Sequence, residues 1–236
     1  LVTGIILYHF IGVESIIFAI VISYIPFIII MRKGFVNSKI DFTLLKKKKE
    51  FILNNYVIML ASGFRRDVDK LIIPPLLGFA ILGNYALSLQ IFSVLAIFSG
   101  ILYKYILPED ASKNSNKKLK KASIVFTAGI AIAGYFVLPE MIPWVFPNYI
   151  DTIDAIRIMS LTVIPSNMVL ILWSEFLAKE KSRVVLISSL IQMIIMIVGI
   201  ITLGPLFGIE GLAWTHLLAS SAQAIFLMLS MKYAKN

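Results

Sequence analysis

Five charged residues, Arg65, Arg66, Asp67, Asp69 and Lys70, stand inside the otherwise apolar stretch Phe51–Pro75. Wound as a helix at 100° per residue, that stretch places Asn55, Ser62, Arg66 and Asp69 within a sector of roughly 60°. Arg65 and Asp69 are i,i+4 neighbours, and Arg66 and Asp69 are i,i+3 neighbours, so the polar stripe ends in a net-positive cluster with its own pairing. Charge placed deep in apolar surroundings is costly and persists where it is paired or faces a cavity. Two readings follow. The cluster is either a snorkelling anchor at a membrane surface or one wall of a central, cation-rich vestibule.

A second set of polar residues lies on Thr152–Leu177. Ser160, Asn167 and Ser174 recur at heptad spacing and share one helix face, as polar contacts between helices or as cavity lining. Pro165 interrupts the same helix and frees a carbonyl that a hydroxyl can satisfy. Arg157 follows Asp154 by one turn and is either its ion-pair partner or part of the vestibule. Glu175 is expected to pair with Lys179 at i,i+4 near the helix end. His216 stands alone among Ser and Gln residues, which fits hydrogen-bonded packing better than a proton relay.

The elements that must position these residues are membrane helices. Hydrophobic residues make up 59% of the 236 residues, the mean hydropathy is +0.90, and around 20 apolar residues suffice to span a bilayer. Eight apolar segments are read: Leu1–Gly12, Val13–Met31, Phe51–Ile73, Ala80–Ile106, Ala122–Leu138, Thr152–Leu177, Val184–Leu203 and Leu212–Met231. The fold expected is an all-α, polytopic helical bundle. Span five, with Ala128, Gly129, Ala131, Ala133 and Gly134, is suited to close helix contact.

Lys and Arg alternate across these segments. They crowd the stretches 32–50, 107–121, 178–183 and the tail after Met231, while 74–79, 139–150 and 204–211 contain none. By the positive-inside rule the basic stretches and the C-terminus are cytoplasmic, in a multi-pass protein of the cytoplasmic membrane. With Lys104 at the entrance of the stretch 107–121, four basic residues stand outside the alternation: Arg65, Arg66, Lys70 and Arg157. The formal charge of +9 is thus accounted for by topology, with Lys46–Lys49 meeting anionic lipid, and calls for no nucleic-acid partner.

The chain has no cysteine, no Cys/His/carboxylate set at metal-ligand spacing, no phosphate-binding loop and no nucleophile elbow. Enzymatic chemistry and a cofactor are not expected. His9 is isolated. An integral-membrane glycosyltransferase would call for an acidic metal-binding cluster, and the acidic residues here are scattered among basic ones.

Phe10-Ile-Gly12-Val-Glu14 is echoed by Leu206-Phe-Gly208-Ile-Glu210, each Gly suited to a tight turn and each Glu to the N-terminus of the next helix. The echo points to two stacked bundles of the kind transporters build from internal repeats. On that expectation 1–34 holds the last spans of an N-terminal bundle and 35–50 is a basic cytoplasmic linker. Residues 51–231 form a six-helix C-terminal bundle and 232–236 a cytoplasmic tail. The chain, which starts at Leu1 inside an apolar run, reads as the C-terminal part of a longer protein.

Asp69-Lys-Leu-Ile-Ile, Leu77-Gly78 and Leu82-Gly83-Asn84-Tyr85-Ala86 resemble a passage of the Wzx-type polysaccharide flippases. These belong to the multidrug/oligosaccharidyl-lipid/polysaccharide exporter superfamily. Phe146-Pro-Asn-Tyr149 and Pro205-Leu-Phe-Gly-Ile-Glu-Gly-Leu-Ala213 resemble two later turns of the same family, and the likeness extends over about residues 10–231. The resemblance implies a two-bundle transporter that moves a polyprenyl-diphosphate-linked oligosaccharide across the membrane by alternating access. The headgroup would enter a cationic cavity to which Arg65, Arg66, Asp69, Lys70 and Arg157 contribute, with Asn55, Ser62 and Asn167 as polar lining. Polysaccharide-assembly proteins would be further partners. Two other readings compete: an ion-coupled, MATE-like exporter of small molecules, which would want acidic residues in the cavity, and a non-transporting membrane scaffold.

Overall fold

The computed structural model describes residues 48–112 and 116–233, together with Val21, Ile22, Tyr24, Pro26, Phe27, Met31 and Arg32; for residues 60–67 it describes the backbone alone. The chain divides into two units, 1–48 and 49–236. The described positions of the first unit are helical except Lys48, which is a turn. Most of the first two expected spans, the linker up to Lys47 and the Phe10–Glu14 turn lie outside the described residues.

The second unit is all-helical among its described residues. Its helices are α1 (Lys49–Leu77), α2 (Phe79–Ala111), α3 (Lys117–Val145), a 3-10 turn (Pro147–Thr152), α4 (Ile153–Ala178) and α5 (Ser182–Tyr233). Gly78 alone separates α1 from α2; its φ of 88° and ψ of 165° belong to a region open only to glycine. The Asn116 side chain starts α3 by accepting the Leu119 N–H at 3.0 Å. The end of α4 closes with Lys181 N–H on Phe176 O and Glu180 N–H on Leu177 O, at 2.8 and 2.9 Å. This is a Schellman pairing whose left-handed position is filled by Glu180.

The connections are shorter than the sequence suggested. Residues 74–77, 107–111, 117–121 and 139–145 are all helical, although Pro74, Pro75, Pro108, Pro139 and Pro143 fall among them. Extending a helix keeps backbone groups hydrogen-bonded where water is scarce, and that outweighs one missing N–H per proline.

The helix α5 is one segment only by hydrogen bonding along its length. At Gly208 the backbone turns to φ 57°, ψ −129°. Gln223 Nε2 then reaches Ser188 Oγ at 3.3 Å, across 35 residues; a straight helix would hold them ~52 Å apart. The two arms therefore lie side by side as an antiparallel hairpin, which is where the Leu206–Glu210 motif was expected to turn.

Helix α4 occupies the middle. It packs against α2, α3 and both arms of α5, while α1 lies on α5 and touches α2 more sparingly. In its most apolar window 56% of residues are buried, against 17% for α2. Ile73, Tyr85, Met159, Ile200 and Leu212 form a core layer towards the Lys-free end of the bundle. Ile58, Val169, Phe176, Val185 and Leu227 form a second towards the Lys-rich end. Outward faces are apolar in helical register: Val94, Ile97, Ile101 and Tyr105 on α2, and Ile187, Leu190, Ile194, Val198 and Ile201 on α5. Among the described residues four segments are long and apolar enough to cross a membrane, namely α2, α3, Pro147–Ala178 and α5.

Candidate functional site

The backbone of α1 runs as helix through the charged cluster. The side chains of Ser62, Arg65, Arg66 and Asp67 lie outside the described residues. Of the rest, Asp69 is 3% exposed, accepts the backbone N–H of Lys70 at 2.8 Å, and lies within electrostatic reach of the fully buried Tyr85 on α2. Lys70 is turned outward. Asn55 is half-buried and bonds back to the Phe51 carbonyl at 2.8 Å. Its neighbour Asn54 reaches Ser182 Oγ at 3.4 Å, and Glu50 pairs with Arg183, so α1 and α5 are tied at their first turns.

Arg157 is held by Asp154 on its own helix at 2.7 Å, with the Asp154 side chain exposed and that of Arg157 partly so. An ion pair in that setting contributes at most about 1 kcal/mol.

The heptad face of α4 lies against α3. Ser160, 0% exposed, faces Gly134 so closely that a Cβ there would stand 2.9 Å from Ser160 Oγ. One heptad on, Asn167 is buried against Ser123, donating from Nδ2 at 3.0 Å. One heptad further, Ser174 Oγ donates to Asp110 Oδ2 at 2.6 Å. The small residues of α3 are the reason the two helices approach this closely.

Beside Ser174 sits a charged knot that the sequence reading missed. Lys120 Nζ donates to Asp110 Oδ1 and Oδ2 at 2.8 and 2.7 Å and to Glu175 Oε1 at 2.9 Å. Lys120 is 6% and Asp110 8% exposed. Lys120 was read as one more lysine of a cytoplasmic loop; it lies inside the bundle, joining the end of α2, the start of α3 and the end of α4. Glu175 therefore pairs across helices with Lys120 rather than along its own helix with Lys179. The signal was available: Lys120, Ser123, Thr127, Ala131 and Gly134 recur at i+3/i+4 spacing, and all are buried on one side of α3.

A third polar knot centres on Ser188, whose Oγ accepts from Trp173 Nε1 at 3.2 Å and from Gln223 Nε2 at 3.3 Å. His216 packs its ring edge-on to Phe92, centroids 5.0 Å apart. Among the described residues no group of three or more His, Cys, Asp or Glu side chains is placed to hold a metal. The geometry supports charge pairing and helix-to-helix hydrogen bonding, and it gives Asn167 and Arg157 partners in Ser123 and Asp154.

Compared with protein families, curated proteins and solved structures, the chain gives no match in any of the three.

Proposed function

We propose that this chain is the C-terminal part of a Wzx-type flippase of the cytoplasmic membrane. It would move a polyprenyl-diphosphate-linked oligosaccharide by alternating access between two bundles. The observation that carries the reading is the net-positive cluster of Arg65, Arg66 and Lys70 against Asp67 and Asp69 within one apolar stretch of a helix packed onto the bundle. A diphosphate needs bidentate or point-charge cations in a wet cavity, and Arg supplies the former. Its lipid tail stays in the bilayer, so no enclosing apolar pocket is required. The turns at Gly78 and Gly208, inside the two motifs that resemble the family, support the same reading. On this proposal the eight apolar segments all cross the membrane, the Lys-rich end of the bundle is cytoplasmic, and Asn55 and Ser62 line the cavity beside the cluster.

An ion-coupled exporter is the second reading, and the buried carboxylate of Asp69 is the observation in its favour.

The test is complementation of a strain lacking its own flippase with the complete protein. Arg65→Ala and Arg66→Ala are each expected to abolish surface glycan without lowering membrane abundance. Normal glycan from both variants would remove these residues from the mechanism.

A further inference from the structure

The Lys-free end of the bundle is not built like a water-facing surface. The turn between α1 and α2, the α3-to-α4 connection and the Gly208 turn all come to this end. Leu77 of α1 packs there beside Gly204 of α5. Each connection holds large apolar side chains outward. Phe79 is 79% exposed, Trp144 88%, Ile150 53%, Leu206 72% and Phe207 62%. Trp144 belongs with Phe136, Val137, Met141 and Val145 to an open apolar hollow on the last turns of α3.

We propose that this end is seated within the interfacial layer of a zwitterionic bilayer, its three connections lying among lipid headgroups rather than above them. Three observations choose that occupant. The collar continues the outward apolar stripe of α5, whose exposed Ile194, Val198 and Ile201 lead on to Leu206 and Phe207. Trp at the rim of such a stripe is a residue enriched at the membrane–water interface, its apolar body in the acyl layer and its N–H among the headgroups. The charges there are carboxylates: Glu140, Asp151 and Glu210 are exposed, Arg157 is tied to Asp154, and the three connections contain no Lys or Arg. Such a rim repels anionic headgroups and complements the ammonium groups of zwitterionic lipids. The opposite end, carrying exposed Lys117, Lys118, Lys121, Lys179 and Lys181, has the reverse preference. A protein partner is disfavoured by the scatter of the apolar groups over three separate connections instead of one concave patch. None of this depends on the transport reading.

Trp144 is the reporter. The protein is reconstituted in phosphatidylcholine vesicles, and its tryptophan emission is compared with that of the Trp144→Phe variant. The difference isolates a side chain that nothing covers, so the substitution spares the fold. The Trp144 component is expected to be blue-shifted, to lose more than half its intensity when the lipid is brominated near the headgroup end of its acyl chains, and to resist aqueous iodide. Phe79→Trp in the Trp144→Phe background is expected to report the same environment from the first turn. Quenching by iodide with no response to brominated lipid would overturn the proposal, because it would place the collar in water. Shielding from both quenchers would overturn it equally, because another protein surface would then cover the end.

Discussion

Lys120→Met is expected to destabilise the bundle by about 3–5 kcal/mol, the cost of removing one partner from a buried ion pair. Methionine keeps the length of the side chain and its packing, so the change isolates the charge. The lysine's donors are spent on Asp110 and Glu175, and the substitution leaves Asp110, 8% exposed, with the Ser174 hydroxyl as its remaining short side-chain donor among the bonds described. Lys117→Met and Lys121→Met, one turn back and one residue on, remove the same charge from exposed positions. They are expected to shift stability by no more than about 0.5 kcal/mol. Denaturation of the three variants in detergent, followed by helical signal and by Trp173 fluorescence, separates the cases. Adding Asp110→Asn and Glu175→Gln to Lys120→Met is expected to recover most of the loss, since an uncharged knot of the same shape can be as stable as the charged one. Equal midpoints for Lys120→Met and Lys121→Met would show that the knot contributes nothing beyond a surface lysine.

That prediction is not one the lysine run itself suggests. Lys117, Lys118, Lys120 and Lys121 read as a solvated, topogenic stretch, and three of them, Lys117, Lys118 and Lys121, are exposed. The fourth is distinguished by helical register alone, because α3 begins at Lys117 instead of after the run. The heptad face of α4 was legible for the same reason: Ser160, Asn167 and Ser174 share a side whatever they touch. Their partners were not legible, because pairing of α4 with α3 depends on which helices meet, and no local pattern encodes that. Turns were readable where a conformation excludes other residues, as at Gly78 and Gly208, whereas helix ends were placed too early ahead of Pro74, Pro108 and Pro139. The choice of α1 as the organising helix reflected its charges. The centre of the described bundle is α4, the most buried of its apolar helices, whose buried polar groups, Ser160, Thr162, Asn167 and Ser174, are small and uncharged.

A leucine at Gly199 is expected to keep the bundle from forming, and an alanine there to cost about 1–3 kcal/mol as overpacking. The hairpin of α5 closes where its arms cross, and Gly199 lies against Thr215. A Cβ added at Gly199 would overlap Thr215 Cγ2 and stand 2.6 Å from its Oγ1. Thr215 has no room to withdraw: it is 1% exposed, and its hydroxyl is committed to the Gly211 carbonyl at 2.8 Å. The arms would have to separate, and Ser188 would lose Gln223 further along the same seam. Gly100 on α2 has nothing within 4 Å of its added Cβ; Gly100→Ala is therefore expected to stabilise by about 0.5–1 kcal/mol through helix propensity. The opposite signs of two chemically identical substitutions make the test sharp. Thr215→Ala placed on Gly199→Ala is expected to recover part of the loss, with a coupling of about 1 kcal/mol or more between the two sites. If both glycine-to-alanine variants were stabilising, or if the pair proved additive, the arms of α5 would not cross here, and the antiparallel hairpin on which α1 and α4 both pack would have to be redrawn.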